Sequence, residues 1–250
     1  MLALSVPLWL WLSAPATAQT SPSPASEALR EAVLDPDRDF TLRHESCLEL
    51  IALDPEEAFE AALTWEGRGG GHRATHCGAM ALWALDQPAE AANRLDGLVA
   101  DLPQGAGSVA DTLRLNYGTE AAQSWLDAGD YDRAWKSADT ALAQDPAHTE
   151  ARVVRARAYF ALDRLADAET DLSSVLAFDP EHASALRYRA DVRLRLAQQG
   201  GEPGALDVAL ADAEAALSLE PSVEAALVRG RVRQALWERD GERDAVPDGE

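Results

Sequence analysis

The stretch Gly129-Asp-Tyr-Asp-Arg-Ala-Trp-Lys-Ser-Ala-Asp-Thr-Ala-Leu-Ala-Gln-Asp-Pro146 decides the fold. Gly129-Asp130 reads as a turn, and the residues after it as a helix carrying small side chains at Ala134, Ala138 and Ala141. Asp145-Pro146 stops that helix, because proline has no N–H to donate and holds the residue before it out of the α region. Thirty-four residues on, Arg164-Leu165-Ala166-Asp167-Ala168 leads into a second helix ending at Asp179-Pro180, and a third ends at Glu220-Pro221. Self-similarity at this period marks stacked helix–turn–helix units, each of which buries its apolar stripe only against its neighbours. The expected class is all-α, an α-solenoid of stacked antiparallel helix pairs.

Outward toward the C-terminus, the segment Gln198 to Gly204 lengthens one inter-helix loop by seven residues, Val223 to Arg239 reads as a single capping helix, and the polar, acidic residues 240–250 as a disordered tail. Toward the N-terminus, a long helix is expected from about Val109 to Ala128, behind a loop at Gln104 to Gly107. Before it come His72 to Leu85 and Pro88 to Asp101, a helical pair ended by Pro103. Pro55-Glu56-Glu57 opens a further helix, with proline at the first helical position and two acids that suit the positive end of the helix dipole. It runs to Gly67, and Gly69-Gly70-Gly71 break the chain after it. Thr41 to Leu53 is another helix, and helical sequence first begins near Glu27 and is interrupted at Asp35-Pro36.

These residues and their spacing resemble the tetratricopeptide repeat family, well over residues 115–238 and weakly over 41–103. The organisation implied is degenerate helical repeats over 27–103, then family-like repeats over 108–239 (115–148, 149–182 and 183–223) with their cap. The family places a small residue at the close helix crossing and a large aromatic nearby. Ala122 and Trp125 would face Ala134, Ala138 and Ala141; Ala156 and Tyr159 would face Ala168, Leu172 and Val175; Ala190 and Arg193 would face Ala209, Ala213 and Ala216. Arg193 departs from the aromatic preference. Aligned on Pro103, Ala79, Leu82, Ala91 and Leu95 occupy contact positions of a degenerate repeat. Some family members clamp the C-terminal carboxylate of chaperones with Lys, Asn and Arg. Here the matching positions hold Thr119, Gln123, Val154, Ser184 and Tyr188, so that clamp is absent.

Composition narrows the function classes. Apolar residues make up 47% but aromatics only 6%, and the alanine-rich remainder favours helix, since alanine loses no side-chain entropy there. A net charge of −21 argues against nucleic acid, which needs a basic surface. Lys136 is the sole lysine among 22 basic residues, a usage associated with GC-rich bacterial genomes. Residues 1–18 read as a secretory signal peptide: Leu2 to Leu12 is apolar and Ala16-Thr17-Ala18 fits the small-x-small cleavage pattern, although no Lys or Arg precedes the apolar run. Pro7 and Pro15 interrupt that run, which argues against a membrane span. Gln19 to Ser26 reads as a Pro/Ser linker. An exported protein, periplasmic or secreted, is expected.

Two cysteines occur, Cys47 and Cys77. In an exported chain a disulfide is the natural reading, and two buried free thiols the alternative. His44, His72 and His76 lie close enough in sequence to these cysteines to offer a zinc set, though His72 to His76 lacks the glutamate of the zinc-protease motif and Cys77 leaves a helix about 100° from His76. Gly69 to Gly71 lack the Gly-Lys-Ser/Thr ending of a phosphate loop and read as a hinge. No Ser/His/Asp or paired-carboxylate arrangement stands out, so neither a catalytic site nor a cofactor nor a metal is expected.

Charge distribution carries the functional expectation. The first helix of each late repeat is rich in arginine: Arg152, Arg155 and Arg157; Arg187, Arg189, Arg193 and Arg195; then Arg229, Arg231 and Arg233 on the cap. The second helix is acidic: Asp167, Glu169 and Asp171; then Asp207, Asp212 and Glu214. Two readings are open, a ladder pairing first-helix arginines with second-helix acids, or a groove offering arginine to a partner. In the resembled family the first helices line a concave groove. There Thr119, Gln123, Arg157, Arg187, Asp191, Arg195 and Arg231 are the candidate partner-binding residues, for a protein or peptide segment, possibly an acidic one. The expected function is a non-catalytic interaction scaffold. The alternatives are a structural or assembly component of an envelope complex and, further off, a metal-binding protein.

Overall fold

A computed structural model of the protein describes residues 23–103, 108–200 and 204–245. The signal segment 1–18, linker residues 19–22, the loop 104–107, residues 201–203 of the Gln198 to Gly204 insert and tail residues 246–250 lie outside the described residues. Within them the chain forms α1 (Pro24–Leu34), α2 (Phe40–Leu53), α3 (Pro55–Gly67), α4 (Gly71–Ala84), α5 (Pro88–Asp101), α6 (Ser108–Asp127), α7 (Tyr131–Leu142), α8 (Thr149–Ala161), α9 (Leu165–Phe178), α10 (Ala183–Gln198), α11 (Ala205–Leu219) and α12 (Val223–Ala245), with no strand among the described residues. The solenoid expectation holds.

The punctuation is repeated chemistry. At Gly69, Asp86, Gly129 and Asp163 the chain turns through positive φ, and the next N–H reaches back five residues to a helix carbonyl: Gly70 to Trp65, Gln87 to Leu82, Asp130 to Trp125 and Arg164 to Tyr159. This left-handed closure satisfies the last carbonyls of one helix while reversing the chain into the next. Glycine at 129 takes it without Cβ strain. At the other turns Asp145 and Asp179 accept backbone bonds two residues ahead. His148 and His182 then cap α8 and α10, each Nδ1 accepting from the N–H three residues on.

Two ends differ from expectation. The Pro/Ser linker is helical from Pro24, because Ser23 accepts from the Ser26 N–H and proline sits in the first turn, where its missing donor costs nothing. The tail continues α12 as far as Ala245, and Arg239 just before it ion-pairs with Asp207 of α11 and with Asp240.

Each helix touches the next in sequence, and even-numbered helices also meet one another, α2 with α4, α6 with α8, and α10 with α8 and α12. The even helices therefore form one layer and the odd helices the other. The core is a row of small clusters. Trp65 sits among Leu50, Ala58, Ala74 and Ala81; Trp125 among Ala122, Ala134, Ala138 and Val154; Leu172 among Ala156, Tyr159, Ala168 and Val175; Val228 and Val232 against Ala190, Ala209 and Ala213. Ala216 packs with Ala185 and Leu186 of α10, and Ala141 with Ala151 at the start of α8. Close approach needs small residues: a methyl on Gly118 of α6 would meet the Ala141 Cβ at 3.2 Å and the Ser137 carbonyl at 3.3 Å.

The Cys47–Cys77 disulfide joins α2 to α4 with a Cα–Cα distance of 6.2 Å and both residues fully buried. The alternative of two free thiols is thereby replaced. No helix among the described residues is long and apolar enough to cross a membrane.

Candidate functional site

The ladder is real and selective. Asp171 of α9, only 3% exposed, accepts from Arg155 Nε and Nη2 at 2.8 Å each and from Arg152 Nη1 at 3.2 Å. One repeat later Asp212 of α11 accepts from Arg189 Nε and Nη2, again 2.8 Å each. The two forks occupy the same place in their repeats, nine residues before the closing proline at 180 or 221. Bidentate guanidinium–carboxylate pairs are strong and directional. Arg193, standing where the repeat pattern wants an aromatic, bonds Asp212 at 2.7 Å and Glu169 at 2.8 Å, so an ionic hub replaces ring packing. Asp171 holds the Arg155 guanidinium well above its ordinary range.

The candidate groove residues divide. Thr119 turns its hydroxyl onto the Leu115 carbonyl of its own helix, 2.7 Å away, and stands apart from the rest. Gln123 accepts from Arg157 Nη1 at 2.6 Å, linking α6 to α8. Arg157 and Arg187 both lie against Tyr188, 5.3 and 4.1 Å from its ring centre. Neither makes an ion pair with a carboxylate among the described residues. Asp191, Arg195 and Arg231 are brought together, lining a cleft of about 220 Å³ with Phe160, Leu194 and Gln198. Inside it Asp191 accepts from Arg231 at 2.6 Å, and Arg195 lies 4.9 Å over Phe160 and 3.6 Å from Asp163. Burial pushes the Asp191 carboxyl up, with Arg231 opposing.

The N-terminal histidines form a second cluster, on α2, α4 and α6. His76 of α4 places Nε2 2.8 Å from Glu120 Oε2 and Nδ1 2.8 Å from His44 Nε2. Both ring nitrogens of His76 are thus engaged, one with a carboxylate and one with a second imidazole. Its ring stacks on Tyr117 at 4.9 Å. Burial, with His76 and Arg73 nearby, brings His44 down to about 4, and burial with Glu120 pushes Tyr117 up to about 12. The sequence singles out His44, His72 and His76 as metal candidates. The disulfide takes both thiolates from that set, and His76 spends its two nitrogens on protein partners. Tyr117 and Glu120 carry no local signal, since Glu120 lies 44 residues from His76 and only α4–α6 packing unites them.

Residues 126–192 match the family model for the tetratricopeptide repeat, a span running from the end of α6 into α10. No curated protein matches the chain. Three solved structures resemble it over most of its length. MamA from Desulfovibrio magneticus RS-1, from residue 41 to its end, superposes with a TM-score of 0.58 at 16% identity, covering 81% of this chain and 100% of that one. YrrB, described as a tetratricopeptide protein with an unusual peptide-binding site, gives 0.57 at 16%, covering 81% and 97%. A thermophilic tetratricopeptide protein of Thermus thermophilus gives 0.53 at 19%, covering 80% and 100%. Identities this low make the likeness one of fold. With the repeated turns, the paired layers and the matched segment together, residues 126–192 are tetratricopeptide repeat sequence and the described helices share the fold of tetratricopeptide solenoids.

Proposed function

We propose that the chain is a non-catalytic interaction scaffold that takes an acidic partner segment along the even-helix face between residues 116 and 233. One observation carries this reading. On α8 and α10, Arg152, Arg155, Arg189, Arg193 and Arg195 each ion-pair with a carboxylate, whereas Arg157 and Arg187 flank Tyr188 with none. A guanidinium fork supplies directional bonds to a carboxylate, and the tyrosine ring beside it an apolar surface to desolvate. Arg195, Arg231 and Asp191 extend the strip into the neighbouring cleft. Peptide binding by YrrB, a protein of the same fold, is consistent with such a role. We place the work outside the reducing cytosol, a reading supported by the Cys47–Cys77 bond.

The test is capture of partners from envelope extract by the wild-type chain and by the Arg157→Glu, Arg187→Glu variant, with helicity compared by circular dichroism. A partner held by the first and lost by an equally helical second is the expected result. A partner retained by both, or none captured by either, would overturn the assignment of this face.

A further inference from the structure

A second crevice lies between α2, α4 and α6, away from the arginines of α8 and α10. Its volume is about 470 Å³, within the range of small-molecule sites. Val109, Leu113 and Tyr117 of α6 and the imidazoles of His44, His72 and His76 line it, with Arg73, Asn116 and Glu120 as polar groups. The lining is unusual for this protein. Apolar and aromatic side chains stand here beside a single guanidinium, that of Arg73.

Arg73 makes no hydrogen bond or ion pair among the described residues. The one carboxylate lining the crevice, Glu120, is engaged by His76 at 2.8 Å. Asp39 lies within the field of Arg73 but is exposed, outside the crevice. His72 Nδ1 is buried with no hydrogen-bond partner among the described residues. Val109 at the lip is 74% exposed, an apolar side chain left to solvent beside the opening. Arg73 opposes protonation of both His44 and His72, beside the larger effect of burial.

We infer that this crevice binds a small monocarboxylic acid with an apolar body, the carboxylate on Arg73 and the body against Val109, Leu113 and Tyr117. An amine of the same shape is disfavoured by the unpaired guanidinium, and a neutral analogue leaves it unsatisfied. None of the arginines that carry the partner strip is used, so the two assignments stand or fall separately.

The experiment is an NMR titration of the full, 15N-labelled chain with sodium octanoate, and in parallel with octylamine and octanol. Saturable octanoate binding is expected, with shifts at Arg73, Val109 and Tyr117, and with octylamine and octanol at least tenfold weaker. Arg73→Gln should weaken octanoate binding about tenfold or more, as loss of a charged hydrogen bond does. Val109→Glu, at an exposed position, should weaken it while leaving the fold unchanged. Absence of saturable binding, equal binding of the amine, an unaltered affinity in Arg73→Gln, or shifts confined to residues 1–18 would each overturn the site.

Discussion

Replacing Asp171 by asparagine tests whether the arginine ladder holds the repeats together. The carboxylate is 3% exposed and receives three guanidinium bonds, two from Arg155 and one from Arg152. Asparagine keeps the shape but offers one acceptor oxygen, and its amide hydrogens face guanidinium N–H groups, donor against donor. Removing one partner of a fully buried pair costs about 3–5 kcal/mol. Here the arginine side chains remain 18% and 23% exposed, so water recovers part of that. A loss of about 2 kcal/mol is expected, which at a urea m-value of about 2 kcal/mol/M lowers the midpoint by about 1 M. Urea melts followed by far-UV ellipticity measure it. Arg187→Gln is the control, since that guanidinium only stacks on Tyr188, and it should cost about 0.5 kcal/mol. The double change Arg155→Met, Asp171→Leu should recover much of the loss, because apolar replacement of a buried pair is often neutral. If Asp171→Asn melts at the wild-type midpoint, or Arg187→Gln costs as much, the ladder is decoration and the reasoning fails.

Two further outcomes are expected in the N-terminal repeats. Cutting the disulfide with Cys47→Ala, Cys77→Ala frees a loop of 30 residues and should cost about 3–4 kcal/mol on the chain-entropy account, seen as earlier melting of the N-terminal helices in hydrogen exchange. Lowered pH should destabilise the same region through His44. Its pKa falls from 6.5 to about 4 on folding, so the unfolded chain binds the extra proton between those values, and stability declines as pH drops from about 6.5 to about 4. The groups facing it are His76, His72 and Arg73 on α4, with Glu120 behind His76 on α6. Thermal melts of wild type and His44→Gln across that window should converge at low pH; parallel curves would refute the assignment.

Much of the architecture was legible because tetratricopeptide units are local objects. The prolines at 146, 180 and 221, the turns before them and the small residues at 134, 138 and 156 each act within one repeat, and the period repeats the evidence. Where the local signal weakened, the boundaries slipped: Ser23 and Pro24 looked like linker but make a helix start, and 240–245 looked like tail but continue α12. The disulfide was one of two open readings until α2 and α4 were seen to bring Cys47 and Cys77 together.

The sequence alone determined the class, the repeat period and the presence of two arginine-rich helices opposite acidic ones. It could not say which arginines those acids consume. Asp171 lies 16 residues from Arg155 and Asp212 lies 23 from Arg189, and only the packed helix pair makes each a fork at 2.8 Å. The same packing leaves Arg157 and Arg187 against Tyr188, and draws His44, His76 and Glu120 into one chain across three helices. Hydrophobic period and turn chemistry act over a few residues, so composition records them; pairing of charges depends on which side chains the stacked layers bring within about 3 Å, and that is a property of the tertiary structure.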